Sequence, residues 1–329
     1  MLPRADQIEK AAALLNAGEL VAFPTETVYG LGGDAGNPAA VARIFAAKGR
    51  PASHPLIVHV SNLAAARRWA AALPDSAARL AEAFWPGPLT LVVPKSDHVL
   101  PEVTGGQPTV ALRAPAHPVA RALLAAFGRG IAAPSANRYG RISPTRADHV
   151  REELGGRVAM VLDGGDCEVG LESTIVACLD GRVMLLRPGA VSRMQIADVV
   201  GAVADADAAA PRAPGSARSH YAPQTPLAIV DGADLNARIE RALRRGERLA
   251  VLTHTIAPVA PDRISWRPLP AEPAGYGQAL YATLRELDRA GAARILVEAV
   301  PATEAWAAIG DRLGRAAGAG ADAGLTDAT

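Results

Sequence analysis

The sequence predicts an α/β protein in which a domain with a mixed parallel/antiparallel sheet precedes a small Rossmann-like α/β domain. Amphipathic helices alternate with short apolar strands along the chain, as in a layered α/β fold. Asp180-Gly181 lies between two apolar runs and indicates an antiparallel hairpin, so the first sheet cannot be purely parallel. The pattern stops after residue 200 and restarts at residue 227. A chain of 329 residues is long enough for about two domains.

The elements of the first domain follow from periodicity and capping signals. An amphipathic helix is predicted at residues 6–17 and a buried strand at 20–23. Asn37 and Pro38 are favourable residues for starting the next helix, and Gly49 is a favourable residue for ending it. Thr145 and Asp148 resemble a capping box for a helix through residue 154. We also expect strands at 56–60, 89–93, 109–113, 131–133, 158–162, 173–179 and 182–187, two Ala-rich helices up to residue 84, and a helix at 117–127.

The rest of the chain predicts a linker and a second α/β unit. Residues 201–217 are rich in Ala, Asp, Pro, Gly and Ser, which is typical of a linker. Strands are expected at 227–230, 249–252 and 294–299, and helices at 234–245, 278–290 and 304–316. The predicted boundaries are 1–198 for the first domain, 199–223 for the linker, 224–317 for the second domain and 318–329 for a flexible tail.

Composition excludes several classes of protein. The 34 basic and 33 acidic residues leave a net charge of +1, which argues against a protein that wraps tRNA or coats an anionic membrane. No apolar stretch is long enough to span a bilayer, and the first ten residues lack an apolar signal core, so we expect a cytoplasmic protein. Cys167 and Cys178 lack metal-site spacing and are expected to be reduced thiols.

Common catalytic motifs are absent, and one weak match is disfavoured. The sequence contains no P-loop, no HExxH and no GxSxG motif. The run GLGGDA at residues 30–35 loosely fits a dinucleotide fingerprint. That interpretation needs an acid about 20 residues on to bind a ribose, and residues 35–74 contain no Asp or Glu.

The same acid-free stretch concentrates positive charge. Lys48 and Arg50 flank Gly49 and precede Pro51, so they are held on a stiff loop between a helix and a strand. Ligands of open α/β sheets bind near strand ends, which makes this loop a candidate anion site. The simpler alternative is a solvated helix end where cations face the negative pole of the helix dipole. Polar loops at 134–145, 170–174 and 186–189, and Arg113 at a strand end, are further candidates, with ordinary turn and cap roles as their alternative.

The order of these segments resembles the threonylcarbamoyl-AMP synthase family over about residues 5–195. The motifs are FPTETVYGLG at 23–32, KGRP at 48–51, HPL at 54–56 with His59, PGPLT at 86–90, RAP at 113–115, PSAN at 134–137, SPT at 143–145, GLEST at 170–174 and LRPG at 186–189. The later HYAP at 220–223 and the second α/β unit are similar to the two-domain members.

The resemblance implies a twisted mixed sheet with a basic concave surface, and it implies a reaction. L-threonine, bicarbonate or CO2 and ATP would give threonylcarbamoyl-AMP and pyrophosphate, the first step of a tRNA modification. A carbamate oxygen would attack the α-phosphorus of ATP, so the site must offset repulsion between anions. Mg²⁺ would accompany ATP with no other cofactor, and downstream threonylcarbamoyl-transfer machinery would receive the product.

The resemblance also implies two sets of site residues. Lys48 and Arg50 would contact the ATP phosphates as the catalytic cations, and the remaining nucleotide site would comprise His54, Thr109, Ser135, Asn137, Ser143, Arg187 and Tyr221. The threonine site would comprise Thr27, His59, Arg113, Ala133 and Ser173. The planar guanidinium of Arg113 would suit the threonine carboxylate. His54 stands where many members have Asn, and the segment after Gly215 lacks the Met, Lys and bulky residues common in the family linker, which folds over the site as a lid.

Other interpretations remain open at this point. The basic face could bind double-stranded RNA or tRNA, as the acid-poor segment suggests, although the net charge opposes this. A related carbamoyl-transfer role would need acylphosphatase or zinc-finger signatures that the sequence lacks. Asp163, Asp166 and Glu172 could help to place Mg²⁺, with turn or surface roles as the simpler interpretation. The second domain has no nucleophile or phosphate loop, so we expect it to position the lid.

Overall fold

The structure is a computed structural model, and it describes residues 3–215 and 221–321. The described residues divide into two units. The first comprises residues 3–139 and 143–215, and the second comprises residues 140–142 and 221–321. Among the described residues, no helix is both long and apolar enough to cross a membrane.

The first unit is built on a mixed sheet. Its strands are β1 (Val21–Phe23), β2 (Gly30–Asp34), β3 (Ile57–His59), β4 (Leu89–Pro94), β5 (Thr109–Arg113), β6 (Ile131–Ala132), β7 (Met160–Val161), β8 (Thr174–Leu179), β9 (Arg182–Arg187) and β10 (Ala204–Asp205). Their order in the sheet is β10-β9-β8-β4-β5-β3-β6-β2-β1-β7. The pairs β3–β5 and β4–β8 are parallel, whereas β3–β6, β4–β5 and β8–β9 are antiparallel. The predicted mixed sheet is therefore confirmed.

Helices cover the sheet and bury its apolar side chains. They are α1 (Ala5–Asn16), α2 (Pro38–Lys48), α3 (Leu63–Ala66), α4 (Asp75–Phe84), α5 (Pro101–Thr104), α6 (Pro118–Phe127), α7 (Ala147–Leu154) and α8 (Arg193–Val200). One core cluster joins α1 and α6 to β1 through residues such as Leu15, Leu123 and Phe23. A larger cluster contains Ile44 of α2 and Leu80 of α4 together with central strand residues. Burial of these side chains contributes the main stabilisation of the unit.

Local signals predicted some boundaries correctly and one incorrectly. The side chain of Asn37 accepts hydrogen bonds from the N–H groups of Ala39 and Ala40, and Gly49 ends α2 in the left-handed conformation (φ 65°). The hairpin turn at Asp180-Gly181 also forms, with φ of 49° and 73°. The Thr145 cap is wrong: the residue before α7 is Arg146, which makes no side-chain cap, and the Thr145 N–H donates to His149 Nδ1.

The segment suggested as a dinucleotide fingerprint is instead a strand, β2, for which the sequence predicted no element. A Cβ atom at Gly32 would lie 2.8 Å from Phe23 Cε1 and 2.9 Å from Ile131 Cγ2. This glycine is therefore explained by close packing of β2 against its neighbours, and phosphate binding is not needed to explain it. Because glycine has low strand propensity, the run GLGGD lacks the usual strand signal.

The second unit has a fully parallel sheet. Its strands β11 (Leu227–Val230), β12 (Leu249–Thr253), β13 (Ser265–Pro268) and β14 (Arg294–Glu298) are ordered β11-β14-β12-β13. Its helices are α9 (Gly232–Arg244), α10 (Pro273–Asp288) and α11 (Ala307–Ala321). Strand β13 was missed because SWRP contains a proline and alternates poorly; at the sheet edge, the missing proline N–H is tolerated.

Part of the predicted linker is ordered within the first unit. Strand β10 pairs in parallel with β9. The Arg212 N–H donates to Gln107 Oε1 (2.7 Å), and Arg212 Nη2 donates to the Gly105 carbonyl (2.9 Å). The linker-like composition of this segment therefore does not prevent it from adding a strand, β10, at the edge of the sheet. The central residues of the predicted lid, 216–220, lie outside the described residues. Helix α11 continues into the predicted tail at 318–329 as far as Ala321, and the residues from 322 onward lie outside the described residues.

Candidate active site

The turn between β1 and β2 fixes two threonine hydroxyls. Thr25 Oγ1 donates to the Val28 carbonyl (2.7 Å) and lies 2.8 Å from Thr27 Oγ1. Since a hydroxyl carries one proton, Thr27 must donate to Thr25, and the lone pairs of its oxygen are left for another donor. Arg113 Nη1 is that donor, at 2.9 Å from Thr27 Oγ1. The local turn therefore orients Thr27 toward the end of β5.

Arg113, at the end of β5, forms a buried ion pair with Glu26. Arg113 Nη2 lies 2.7 Å from Glu26 Oε1, and the two side chains are only 4% and 6% exposed. Glu26 Oε2 accepts the N–H of Ala116 (3.0 Å), and Arg113 Nε donates to the Gly87 carbonyl (3.3 Å). Burial raises the pKa of Glu26, but the charge and hydrogen bonds of Arg113 outweigh burial and leave that pKa below its ordinary value. The pair is therefore ionised, and it locks the guanidinium in place.

His59 lies beside Arg113 because β3 and β5 are parallel with His59 opposite Arg113. Burial, reinforced by the charge of Arg113, lowers the pKa of His59 to about 3, so the ring is neutral. Its Nδ1 is buried and has no hydrogen-bond partner among the described residues. The ring packs edge-on against Phe23 at 5.9 Å. A fixed neutral imidazole with one unsatisfied nitrogen is available to a polar ligand.

Ser173 and Arg187 meet at the start of β8. Ser173 Oγ lies 2.7 Å from Thr90 Oγ1 and 3.3 Å from Arg187 Nη2. Arg187 also donates to the Ser173 carbonyl through Nε (3.1 Å) and Nη2 (2.9 Å), and to the Pro214 carbonyl through Nη1 (2.8 Å). Residues predicted for different substrates, Ser173 for threonine and Arg187 for ATP, are thus in direct contact.

Ser143 joins this group through a glutamate. Ser143 Oγ donates to Glu172 Oε1 at 2.5 Å, and both residues are buried. Because Glu172 precedes Ser173 in the chain, the hydroxyl of Ser143 is tied to the loop that carries Ser173. Glu172 therefore has a hydrogen-bonding role in this loop.

A second group forms around Lys48, the last residue of α2. Lys48 Nζ donates to the Ser135 carbonyl (2.5 Å) and the Asn137 carbonyl (2.6 Å). The Tyr139 N–H in turn donates to the Lys48 carbonyl (2.8 Å). Burial, with the nearby charge of Arg50, lowers the pKa of Lys48 well below its ordinary value. Lys48 thus holds the loop at residues 134–139 against the end of α2.

Arg50, His54 and Tyr139 lie beside Lys48. Arg50 Nη2 donates to the Pro55 carbonyl (2.9 Å), and its Cζ is 5.8 Å from the centre of the Tyr139 ring. The His54 ring meets Tyr139 edge-on at 5.5 Å. Burial and the charge of Arg50 lower the pKa of His54. This group combines the guanidinium of Arg50 and the buried amine of Lys48 with aromatic surface, which suits a nucleotide.

The strand register places Thr109 and Arg113 at opposite ends of β5. Thr109 pairs with Pro94, and four residues later Arg113 pairs with His59. At about 3.3 Å per residue, the two ends are about 13 Å apart. Thr109 is therefore at the amino end of β5, the end at which the Arg50 and His54 loop enters the parallel neighbour β3.

Two further predicted site residues, Ala133 and Tyr221, make none of the contacts described above for the groups around Arg113 and Lys48. Ala133 follows β6 and donates its N–H to the carbonyl of Ile57 (2.9 Å), the first residue of β3. Tyr221 lies in the second unit with φ 62° and 1% exposure. Its ring stacks on Tyr281 at 6.0 Å, and Arg312 Cζ lies 5.3 Å from its centre. The ATP role of Tyr221 stays a prediction.

Comparisons with known proteins now decide the family. A family model described as "Telomere recombination" matches residues 13–189, and one described as "Threonylcarbamoyl-AMP synthase, C-terminal domain" matches residues 191–318. A curated threonylcarbamoyl-AMP synthase of Bacillus subtilis is 42% identical over 323 residues, covering 95% of this chain and 93% of the relative. The chain belongs to the threonylcarbamoyl-AMP synthase family.

Other members of the family are also similar to this chain over nearly its full length. The threonylcarbamoyl-AMP synthase of Pyrococcus abyssi is 39% identical, with 95% of this chain and 94% of that one covered. The crystal structure of P. abyssi Sua5 complexed with L-threonine has a TM-score of 0.90 and 37% identity, and covers 96% of each chain. The match includes both units, so the two-domain form of the family is confirmed.

In this member of the synthase family, three residues that contact predicted site residues were not themselves predicted from the sequence. Glu26, Thr90 and Tyr139 all lie within or beside the quoted motifs but were assigned no role. A usable signal existed for Glu26, which is the one charged residue in FPTETVYGLG. A carboxylate in an apolar motif predicts a buried partner, because an unpaired buried charge is costly.

The acidic residues considered for Mg²⁺ do not form a metal site. Asp163 pairs with Arg151 (3.3 Å), Asp166 pairs with Arg146 (3.0 Å), and Glu172 accepts the Ser143 hydroxyl. Within residues 3–215 and 221–321, no group of three His, Cys, Asp or Glu side chains could hold a metal ion. Cys167 and Cys178 are buried free thiols.

Proposed function

We propose that this chain catalyses the ATP-dependent synthesis of L-threonylcarbamoyl-AMP from L-threonine and bicarbonate or CO2, with release of pyrophosphate. The observation that carries the proposal is the near-full-length similarity to threonylcarbamoyl-AMP synthases, at 42% and 39% identity. The two clusters of buried polar residues around Arg113 and Lys48 are consistent with two substrate subsites. These relatives support the synthase interpretation over an RNA-binding module.

The cluster around Arg113 is assigned to threonine. The guanidinium of Arg113 is held by Glu26 and Thr27, so it meets the substrate carboxylate without reorganising. Neutral His59 and the hydroxyls of Thr27 and Ser173 supply hydrogen-bonding groups for the remaining polar atoms, and Ala133 forms an apolar wall. P. abyssi Sua5 was crystallised with L-threonine, which supports threonine as the ligand.

The cluster around Lys48 is assigned to ATP. Lys48 and Arg50 stabilise the negative charge that develops as the carbamate oxygen attacks the α-phosphorus and pyrophosphate leaves. Ser135, Asn137 and Tyr139 form the loop beside them, and His54 and Thr109 lie near the amino ends of β3 and β5. Arg187 contacts Ser173 of the threonine set, and Ser143 donates to Glu172 in the same loop. We therefore assign both residues to the region where the two substrates must meet for the reaction.

Mg²⁺ is expected to enter as part of the Mg–ATP substrate. Asp163 and Asp166 are engaged by arginines and Glu172 by Ser143, and the described residues contain no group of three side chains that could hold a metal ion. Mg²⁺ is commonly held by substrate phosphates with few protein ligands, so the donor set does not conflict with the reaction.

The product determines the partner class. Threonylcarbamoyl-AMP is a mixed anhydride, so it must be consumed by an enzyme that transfers its threonylcarbamoyl group. We assign that acceptor step to the tRNA-modifying machinery in the cytoplasm, where ATP and tRNA are present. Stable wrapping of tRNA by this chain is not expected at a net charge of +1.

The decisive experiment measures pyrophosphate release as a function of each substrate. We expect turnover only when L-threonine and bicarbonate are both present, and ATP turnover that is equal without threonine would refute the proposal. Lys48→Ala and Arg50→Ala are each expected to lower turnover at least tenfold while the fold survives. Arg67→Ala is the matched control, since Arg67 is an exposed cation in the same acid-free stretch.

Affinity for RNA tests the alternative. If the basic face binds nucleic acid, RNA affinity should fall steeply with salt, with a slope that scales with the number of phosphate contacts. Weak RNA affinity with full threonine-dependent turnover is the expected result.

A further inference from the structure

A three-residue segment, Gly140–Ile142, packs within the second unit although its chain neighbours belong to the first. The Ala222 N–H donates to the Gly140 carbonyl (2.9 Å), and Arg141 forms a parallel bridge with Ala222. The segment lies between Asn137 and Ser143 in the chain, so any constraint on it acts on the loop at residues 134–145.

Asp288 is the residue on which this segment and the two residues that follow the linker, Gln224 and Thr225, converge. Its Oδ1 accepts the N–H of Thr225 (2.7 Å), and its Oδ2 accepts the N–H of Gln224 (2.9 Å). Arg141 Nη2 donates to the same Oδ2 at 3.2 Å. The three donors hold one carboxylate that is only 13% exposed.

The position of Asp288 is unfavourable for helix stability alone. It is the last residue of α10, where a negative charge faces the negative end of the helix dipole. The donors from Gln224, Thr225 and Arg141 offset that cost. An acid here is therefore explained by its bonds to the two loop segments, and helix propensity does not explain it.

Helix α10 holds the segment at a second point. Arg285, one turn before Asp288, donates from Nη2 to the Ile142 carbonyl. Ile142 is 2% exposed and Arg285 is 6% exposed, so this bond is shielded from water. A backbone held at two successive residues has little conformational freedom.

We infer that Asp288, acting through Arg141, is a positioning residue that keeps the loop at residues 134–145 in its nucleotide-binding conformation. The inference rests on the proposed function, because Ser135, Asn137 and Ser143 are assigned to ATP there. Releasing the segment lowers the fraction of molecules with a binding-competent loop. Apparent nucleotide affinity falls in proportion to that fraction, whereas the chemistry in the bound state is unchanged.

The test compares Asp288→Asn with Glu286→Gln in the full-length chain. Asp288→Asn removes the charge that binds Arg141 and leaves one amide oxygen to accept a backbone N–H. We expect KM for ATP to rise about tenfold with kcat within about twofold of wild type and KM for threonine unchanged. Glu286 is the matched control because it lies on the same helix in an exposed pair with Arg267 (3.0 Å); Glu286→Gln should leave all three constants unchanged.

Arg141→Gln provides a second variant from the other side of the pair. It leaves the backbone bonds of Asp288 intact, so it guards against simple misfolding of the Asp288 variant. The two changes together should raise KM for ATP by less than the product of their separate effects, because they remove the same contact. Asp288→Glu, which keeps the charge, should restore part of the loss.

The outcomes separate positioning from structural support. An unchanged KM for ATP in Asp288→Asn and Arg141→Gln would overturn the inference. A fall in kcat with unchanged KM would also overturn it, because that result indicates only a smaller folded fraction. Calorimetric binding of ATP gives the same comparison without turnover. If the wild type binds ATP but releases no threonine-dependent pyrophosphate, the proposed function fails while the loop effect is still measured.

Discussion

The ion pair between Glu26 and Arg113 should dominate the stability of the threonine cluster. We expect Glu26→Gln to be strongly destabilising, because glutamine cannot accept from both Arg113 Nη2 and the Ala116 N–H. One buried donor then loses its acceptor, and the guanidinium loses its counter-charge. Breaking a buried pair from one side costs about 3–5 kcal/mol. With a urea m-value of about 2–3 kcal/mol/M, the unfolding midpoint should fall by about 1–2.5 M.

Glu19→Gln is the matched control for this prediction. Glu19 pairs with Arg43 at the same N–O distance of 2.7 Å, but those side chains are 44% and 50% exposed. Solvent screening limits exposed pairs to about 0–1 kcal/mol. Both substitutions remove one charge from a glutamate, so burial is the main variable. Equal losses of unfolding free energy in urea titrations at pH 7 would refute the reasoning.

The lowered pKa of Glu26 also predicts how the effect of Glu26→Gln on the unfolding free energy changes with pH. The pKa of Glu26 is lowered in the folded protein from its ordinary 4.5. Its stabilising contribution is therefore fully present above pH 4.5 and is lost as the pH falls through the lowered pKa of the folded state. The difference in unfolding free energy between wild type and Glu26→Gln should shrink over that acidic window. A difference that stays constant down to complete acid unfolding would contradict an ionised Glu26.

Three further predictions address packing, protonation and the linker. Gly32→Ala should destabilise by about 1–3 kcal/mol, because its Cβ would lie 2.8 Å from Phe23, whereas Gly36→Ala, whose Cβ meets its nearest neighbour at 3.5 Å, should cost little in the same urea titration. The imidazole NMR signals of His59, assigned with a His59→Gln variant, should not shift between about pH 5 and 8, since its pKa is about 3; a titration midpoint near neutrality would contradict its burial. A chain ending at residue 215 should unfold at higher urea than one ending at 200, because only the longer chain keeps β10 and the Pro214 carbonyl. Equal midpoints would show that the ordered linker adds no stability.

Much of the fold followed from local signals. The Asn37 cap, the left-handed Gly49 and the hairpin at Asp180-Gly181 are decided by a few neighbouring residues, so they could be predicted. Strand β2 could not, because its glycines are favoured only by the close approach of Phe23 and Ile131 from other strands. The Thr145 cap failed for a related reason, since the His149 ring binds the backbone N–H of Thr145.

The sequence alone determined the family, the two-domain organisation and the set of motif residues, because these depend on residue types and their order. It did not reveal which of those residues meet. The register of β3 against β5 places His59 beside Arg113 and puts Thr109 about 13 Å away. Glu26 reaches Arg113 across 87 positions in the chain, and Lys48 reaches Asn137 across 89. Only the tertiary structure decides such contacts, since sheet order and burial bring together charges that no local pattern relates, and burial then sets their pKa values.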